Sequence, residues 1–231
     1  MTRVDDQPAL VLHVRPYRET SAIVSLLTPG HGRVAVVARG VRGPRGTALQ
    51  PFNQLRVAWQ GRGALATLVQ ADLEKPVWLS GLALSAGLYL LELLDRLVTE
   101  RERAPRLYAG SCWALDGLAE PNSDIALTLR RFEQFLLAEL GYAIEFACTA
   151  EDGAPLDPEE QYRFEPGAGF LRAVAASGDT YSGSVLLAIA ANDYASASAR
   201  RAARQVAARA LATLLGPRPL VSRGLLAGHS S

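Results

Sequence analysis

Short runs of alternating apolar and polar residues open the chain, and from about residue 79 apolar residues recur every three or four positions instead. The first rhythm predicts strands and the second helices. Ala9–Val14, Ser21–Thr28, Arg33–Ala38, Gln54–Trp59 and Leu65–Ala71 are the expected strands, rich in Val, Ile and Leu. Pro16 lies in the link Arg15–Thr20 and lacks a ladder donor, so that link is expected to be a turn or bulge. Pro29-Gly30-His31-Gly32 and Gln60-Gly61-Arg62-Gly63 are turn signals, and Gly40–Pro51 reads as a loop too poor in apolar residues to pack. Five short strands with frequent turns read as a small closed barrel.

Lys75-Pro76 ends that pattern. Leu84, Leu88, Leu91 and Leu94 then mark a helix, and Tyr108, Leu115 and Leu118 a second. A third is capped by Ser123 or Asp124, carries Leu127, Leu129, Phe132, Leu136, Leu137 and Leu140, and stops at Gly141. Residues 146–183 interrupt the helices with glycines and prolines, and Tyr162–Phe164 and Phe170–Val174 read as a small hairpin. Helices return from Gly183, with Ala195–Leu215 the longest, closed by Gly216-Pro217, and Leu220–Leu226 forms a short tail element. The fold class is α+β: an N-terminal five-stranded OB-fold β-barrel over residues 1–78, then an α-helical domain over 79–231 with a loop-rich insert at 146–183.

Charge changes the picture from fold to function. The net charge of +1 conceals a basic head (+5 over 1–79), an acidic middle (−8 over 80–172) and a basic tail (+4 over 173–231). Val11–Gly63 holds eight arginines and a single acid, Glu19. Lys75 is the only lysine, so nearly every cation is a planar, permanently charged fork suited to phosphate. A basic, glycine-rich barrel face suits a nucleic-acid backbone better than a small substrate. Arg39, Arg42 and Arg45 lie among Gly40, Gly43 and Gly46, where the backbone can approach a phosphate closely. Arg15, Arg18 and Arg33 belong on or beside the sheet, and Arg62 on the connection between the fourth and fifth strands. Of the available rings, Phe52 and Trp59 read as core, and Tyr17, between Pro16 and Arg18, as a stacking candidate.

Other chemistries find little support. Cys112 and Cys148 are too few for a disulfide framework and point to a reducing compartment. The opening MTRVDDQPAL has no apolar core of signal-peptide length, and no uncharged run is long enough to span a bilayer, so a cytoplasmic, nucleoid-associated protein without membrane attachment is expected. Asp152, Asp157, Glu159 and Glu160 have no histidine near them and read as solvated acids. GVRGPRGT lacks the lysine of a phosphate-binding loop. The chain therefore reads as non-enzymatic, with no cofactor and no metal. An RNA-binding barrel or a protein-interaction scaffold are the alternatives to DNA binding.

Six pieces taken in order carry a resemblance: LHVRPYRETSAIVSLLT, GRVAVVARGVRGPRG, LQPFNQLRVAWQGRGALATLVQAD, SAGLYLLELLDRLV, LRRFEQFLLAELGY and GPRPLVSRGLL. Together they resemble the bacterial RecO family of recombination mediators. The resemblance implies a DNA repair protein that binds single- and double-stranded DNA and anneals complementary strands. It further implies work with RecR and the single-strand-binding protein, and indirectly with RecA, which is loaded onto the covered strand. Docking of the acidic C-terminal tail of the single-strand-binding protein is implied as well, in an apolar groove rimmed by arginine. Arg130, Arg131 and Arg204 are the candidates, the first two on a helix whose apolar side is Leu127, Phe132 and Leu136. Many members of that family carry a four-cysteine zinc site in the insert. Here the insert has Cys148 alone, so turns and the hairpin must hold it.

Overall fold

Strands β1 (Arg3–Tyr17), β2 (Ser21–Thr28), β3 (Gly32–Arg39), β4 (Gln54–Gln60) and β5 (Leu65–Lys75) close into a barrel in the order β1-β2-β3-β5-β4. The computed structural model describes residues 3–41, 44–61, 63–173 and 180–227. All pairings are antiparallel except β3 with β5. The period of two sends Val24, Leu26, Val34, Val36, Leu55, Val57, Trp59, Ala66 and Leu68 into a common core. Trp59 and Phe52 are buried, as core rings.

Two local expectations differ from the structure. β1 runs on through Pro16 to Tyr17, so only Arg18–Thr20 of the expected link is a turn, and the strand's irregularities fall between Val11 and His13 against β2 and between Val4 and Gln7 against β4. β4 pairs with β1 only as far as Leu10, so at Pro16 the strand has a partner on one side only, where a missing N–H is tolerated. Within Gly40–Pro51 lies a one-turn helix, α1 (Pro44–Ala48), and Leu49 after it is fully buried in the barrel core, with Val41 and Ala48 packed alongside. A few apolar residues suffice because they plug the barrel rather than build a layer.

The contacts group into two compact units, Met1–Thr128 with Leu220–Ser231, and Leu129–Pro219. In the first, α2 (Gly81–Leu97) and α3 (Pro105–Ala119) lie with the barrel, where the apolar stripes predict helices. Burial raises the Cys112 thiol on α3 to about 11, so it is protonated at neutral pH. The last element, α7 (Ser222–Ala227), packs on α2 and is held by one carboxylate. Glu92 accepts from the N–H groups of Val221 (3.0 Å) and Ser222 (2.9 Å) and from the Ser222 hydroxyl (2.5 Å). Partial burial pushes the Glu92 carboxyl up, but the Ser222 and Val221 hydrogen bonds and Arg96 outweigh it and hold it below its ordinary value. A depressed carboxylate stabilises above the unfolded pKa and loses its effect as pH falls through the folded one. Relative to its intrinsic rate, amide exchange at Val221 and Ser222 should therefore be slow at neutral pH and less so as pH falls through the folded carboxylate's titration. Glu92→Gln should make it fast at both. Unchanged exchange in that variant would show the tail is held by apolar contact alone.

In the second unit the chain leaves α4 (Ile125–Glu139) at Gly141, whose φ of +84° favours glycine. Asp124 caps the start of α4, accepting from Leu127 N–H at 3.0 Å. The expected hairpin is β6 (Gln161–Glu165) with β7 (Gly169–Arg172), and an unanticipated β8 (Thr180–Ser182) completes a sheet of order β7-β6-β8. Aromatic rings hold the insert: Phe170 lies 5.3 Å from both Phe146 and Phe164 and 6.3 Å from Tyr181, centroid to centroid. Two of the four acids, Asp152 and Asp157, build turns. Asp152 accepts from Thr149 Oγ1 and the Ala154 N–H, and Asp157 from the Glu159 N–H. Among the described residues no cluster of three or more His, Cys, Asp or Glu could hold a metal ion. Helices α5 (Gly183–Ala190) and α6 (Ala197–Leu215) follow, α6 beginning two residues later than expected because Ser196 caps it. No described helix is long and apolar enough to cross a membrane.

Candidate nucleic-acid interface

Partners across a strand pair point to the same side of the sheet, so the registers place the candidate side chains directly. With Val24 and Val36 inward, the alternate positions face out. One outward row reads His13, Ser25, Ala35 and Leu65. The next is Arg15, Ile23, Val37 and Thr67, and the last is Tyr17, Ser21 and Arg39. Arg18 closes the β1–β2 turn in a left-handed conformation, φ +55°, with its guanidinium 5.1 Å from the centre of the Tyr17 ring. Arg15, Arg18 and Arg39 are exposed, and among the described residues none of the three enters an ion pair. The sheet face therefore offers an apolar strip of Ile23, Val37 and Leu65 beside Tyr17, bordered by three uncompensated charges. Bases can lie on such a strip while phosphates meet the guanidinium groups.

Arg33 belongs elsewhere. It is mostly buried at the other end of the outer face, with Nη2 2.9 Å from Glu100, Nη1 3.7 Å from Asp95 and Nε donating to the Val98 carbonyl at 3.2 Å. Ser25 donates to Asp95 from the same patch. Arg56 is likewise spent on Glu74 and Asp6. Arg42, Arg62 and the side chain of Arg45 lie outside the described residues. The outward Ile23 and Val37 were not anticipated as part of a binding face. Their signal was the unbroken runs Ala22–Val24 and Val34–Ala38, which make both faces of a strand apolar.

The second unit holds a shallow groove lined by Arg131, Gln134, Phe135, Ala138, Ala143, Ile144 and Asn192. The first four share one stripe of α4 at i, i+3, i+4 and i+7. Phe132 and Leu136, expected on the groove, are buried in the core instead, a shift of one face around the helix. Arg131 is exposed at the groove, its Nε 3.4 Å from Asn192 Oδ1. Arg130 turns inward and grips buried Glu133, with Nη2 donating to Oε1 at 3.0 Å and Nη1 2.9 Å from Oε2. Gln134 donates to the hydroxyl of buried Tyr194 at 2.8 Å, and the Tyr194 carbonyl accepts from Arg200 at 2.7 Å. Arg204 stands exposed on α6 and does not line the groove.

Residues 1–77 match the family model for the recombination protein O N terminal, and residues 79–224 that for the recombination protein O C terminal. The chain is 42% identical over 233 residues to the DNA repair protein RecO of Tolumonas auensis, covering 97% of this chain and 96% of that one. It is 42% identical over 231 residues to the DNA repair protein RecO of Cellvibrio japonicus, covering 96% and 97%. With the namesake from Vibrio cholerae it shares 37% over 223 residues, covering 95% and 92%.

Proposed function

The chain belongs to the recombination protein O family of DNA repair proteins, and from that premise we propose that it is a recombination mediator whose barrel binds single- and double-stranded DNA through the outer face of β1, β2 and β3. Arg15, Arg18 and Arg39 contact phosphates, and Tyr17 with the Ile23–Val37 strip receives bases. The observation that carries this reading is the set of three exposed arginines, none in an ion pair among the described residues, around an apolar sheet face. A site of this kind tolerates any sequence, because charge and ring faces are common to all nucleotides. Such tolerance suits a protein that brings complementary strands together for annealing. A titration of fluorescent single-stranded DNA at two salt concentrations tests it. Binding that weakens steeply with salt supports the reading, and absence of binding at low salt overturns it. Preference for RNA over DNA in competition would favour an RNA-binding role instead.

The groove of α4 adds the partner. An acidic peptide ending in an apolar residue matches an apolar trough of Phe135, Ala138 and Ile144 with Arg131 at its rim. We propose that the tail of the single-strand-binding protein docks there, and that RecR and RecA act on the strand so exposed. Arg131→Ala should weaken a tail peptide roughly tenfold, about the 1.5 kcal/mol of a charged hydrogen bond at an exposed site, and leave naked-DNA binding unchanged. Fluorescence anisotropy with the labelled peptide decides it. Equal loss of both activities would mean a general charge effect, and no loss would place the dock elsewhere.

A further inference from the structure

The barrel is not closed by its own strands along its whole height. β5 pairs with β3 only from Ala35 to Val37, which leaves the edge of β3 open at Gly32 and Arg33. The connection between α2 and α3 fills that opening. Glu100 bridges Gly32 and Arg33, the Arg101 N–H donates to the Arg33 carbonyl at 3.1 Å, and the Ala104 N–H donates to the Pro29 carbonyl at 3.1 Å. The approach is close enough to demand glycine: a Cβ on Gly32, with φ +56°, would lie 2.0 Å from the Glu102 carbonyl oxygen. The ion pair of Arg33 with Glu100 fastens the strip from the side. Arg101 is thus anchored by its backbone, in a left-handed conformation with φ +61°. From there its Nη2 donates to the carbonyl oxygen of Gly63, in the connection between β4 and β5.

We infer that Arg101 is a positioning residue for DNA binding: from the inter-helix strip it holds Gly63 in place, where the β4–β5 connection enters β5. The inference rests on the reading of the barrel as the DNA-binding element. The connection enters β5 at Leu65, the outward neighbour of Ala35, so it borders the apolar strip described above. In barrels of this fold the β1–β2 and β4–β5 connections are the ones that embrace an oligonucleotide. Gly63 has no side chain with which to pack, and a Cβ built there would meet no atom within 4 Å. A restraint supplied in advance removes part of the ordering cost that DNA would otherwise meet on binding.

Amide exchange at Gly63, Ala64 and Leu65 in the free protein, read beside single-stranded DNA titrations across salt, tests the inference. Arg101→Ala should speed exchange at these amides and weaken DNA roughly tenfold, the cost of ordering about one residue. The slope of log affinity against log salt should stay as in the parent, because no phosphate contact is lost. Arg101→Lys, which keeps a long donor, should restore slow exchange and affinity together. Exchange unchanged in Arg101→Ala overturns the inference. A slope reduced by about 0.7 with exchange unchanged overturns it too and makes Arg101 a direct phosphate contact. Faster exchange in a protein whose parent does not bind DNA at low salt overturns the DNA reading of the barrel instead.

Discussion

Arg130→Ala is expected to destabilise the protein by about 3–5 kcal/mol, the range for removing one partner of a buried ion pair. Glu133 is 2% exposed, and Arg130 meets both of its carboxylate oxygens. Without the guanidinium the Glu133 carboxylate would remain on the buried face of α4, which it shares with Leu129, Phe132, Leu136 and Leu137, and would be desolvated or protonated there. Urea denaturation should show the loss as a lower midpoint with an unchanged slope. The paired replacement Arg130→Met with Glu133→Leu should recover most of it, because two apolar side chains remove the desolvation penalty along with the attraction. A single variant as stable as the parent would mean that water reaches Glu133 in solution. The neighbouring Arg131→Ala should change stability by less than about 0.5 kcal/mol. One residue apart, the two arginines thus separate folding from docking, and loss of peptide binding in Arg130→Ala alone would report unfolding.

Simultaneous replacement of Arg15, Arg18 and Arg39 by alanine should nearly abolish single-stranded DNA binding at physiological salt. Each phosphate contact contributes about 0.7 to the slope of log affinity against log salt on single strands, so three contribute about 2.1. Carried from molar to tenth-molar salt, that corresponds to roughly a hundredfold loss of affinity. The loss should be the same for every DNA sequence, since phosphates carry no sequence information. All three side chains are exposed and none is in an ion pair among the described residues, so the melting temperature should hardly move. Replacing Arg33 is the informative contrast. It should lower stability through the loss of Glu100, Asp95 and the Val98 carbonyl, with little direct effect on the salt slope. An unchanged slope in the triple variant would exclude this sheet face as the DNA site.

What the chain declares locally, it declares well. The switch from a period of two to a period near 3.6 around residue 79 separates barrel from helices, because each periodicity buries one face of one kind of element. Asp124 as a cap and Gly141 and Gly216 as stops act through neighbours two or three residues away, so they work from sequence alone. The basic, glycine-rich head and the run of matching segments likewise marked a DNA repair family before any coordinate.

Only the tertiary structure decided which charges are free. Arg33 looked equal to Arg15 and Arg39, yet Asp95 and Glu100 come from a helix and its connection more than sixty residues away and neutralise it. Arg130 and Arg131 are neighbours, but a rotation of about 100° per residue sends one to Glu133 in the core and the other to the groove. The packing of Leu49 into the barrel and the closure of β3 by the 100–104 strip depend on where distant backbone arrives. Periodicity records which face of an element is buried. It carries no record of what that face is buried against, and for an arginine that partner decides between a structural ion pair and a charge left open at the surface.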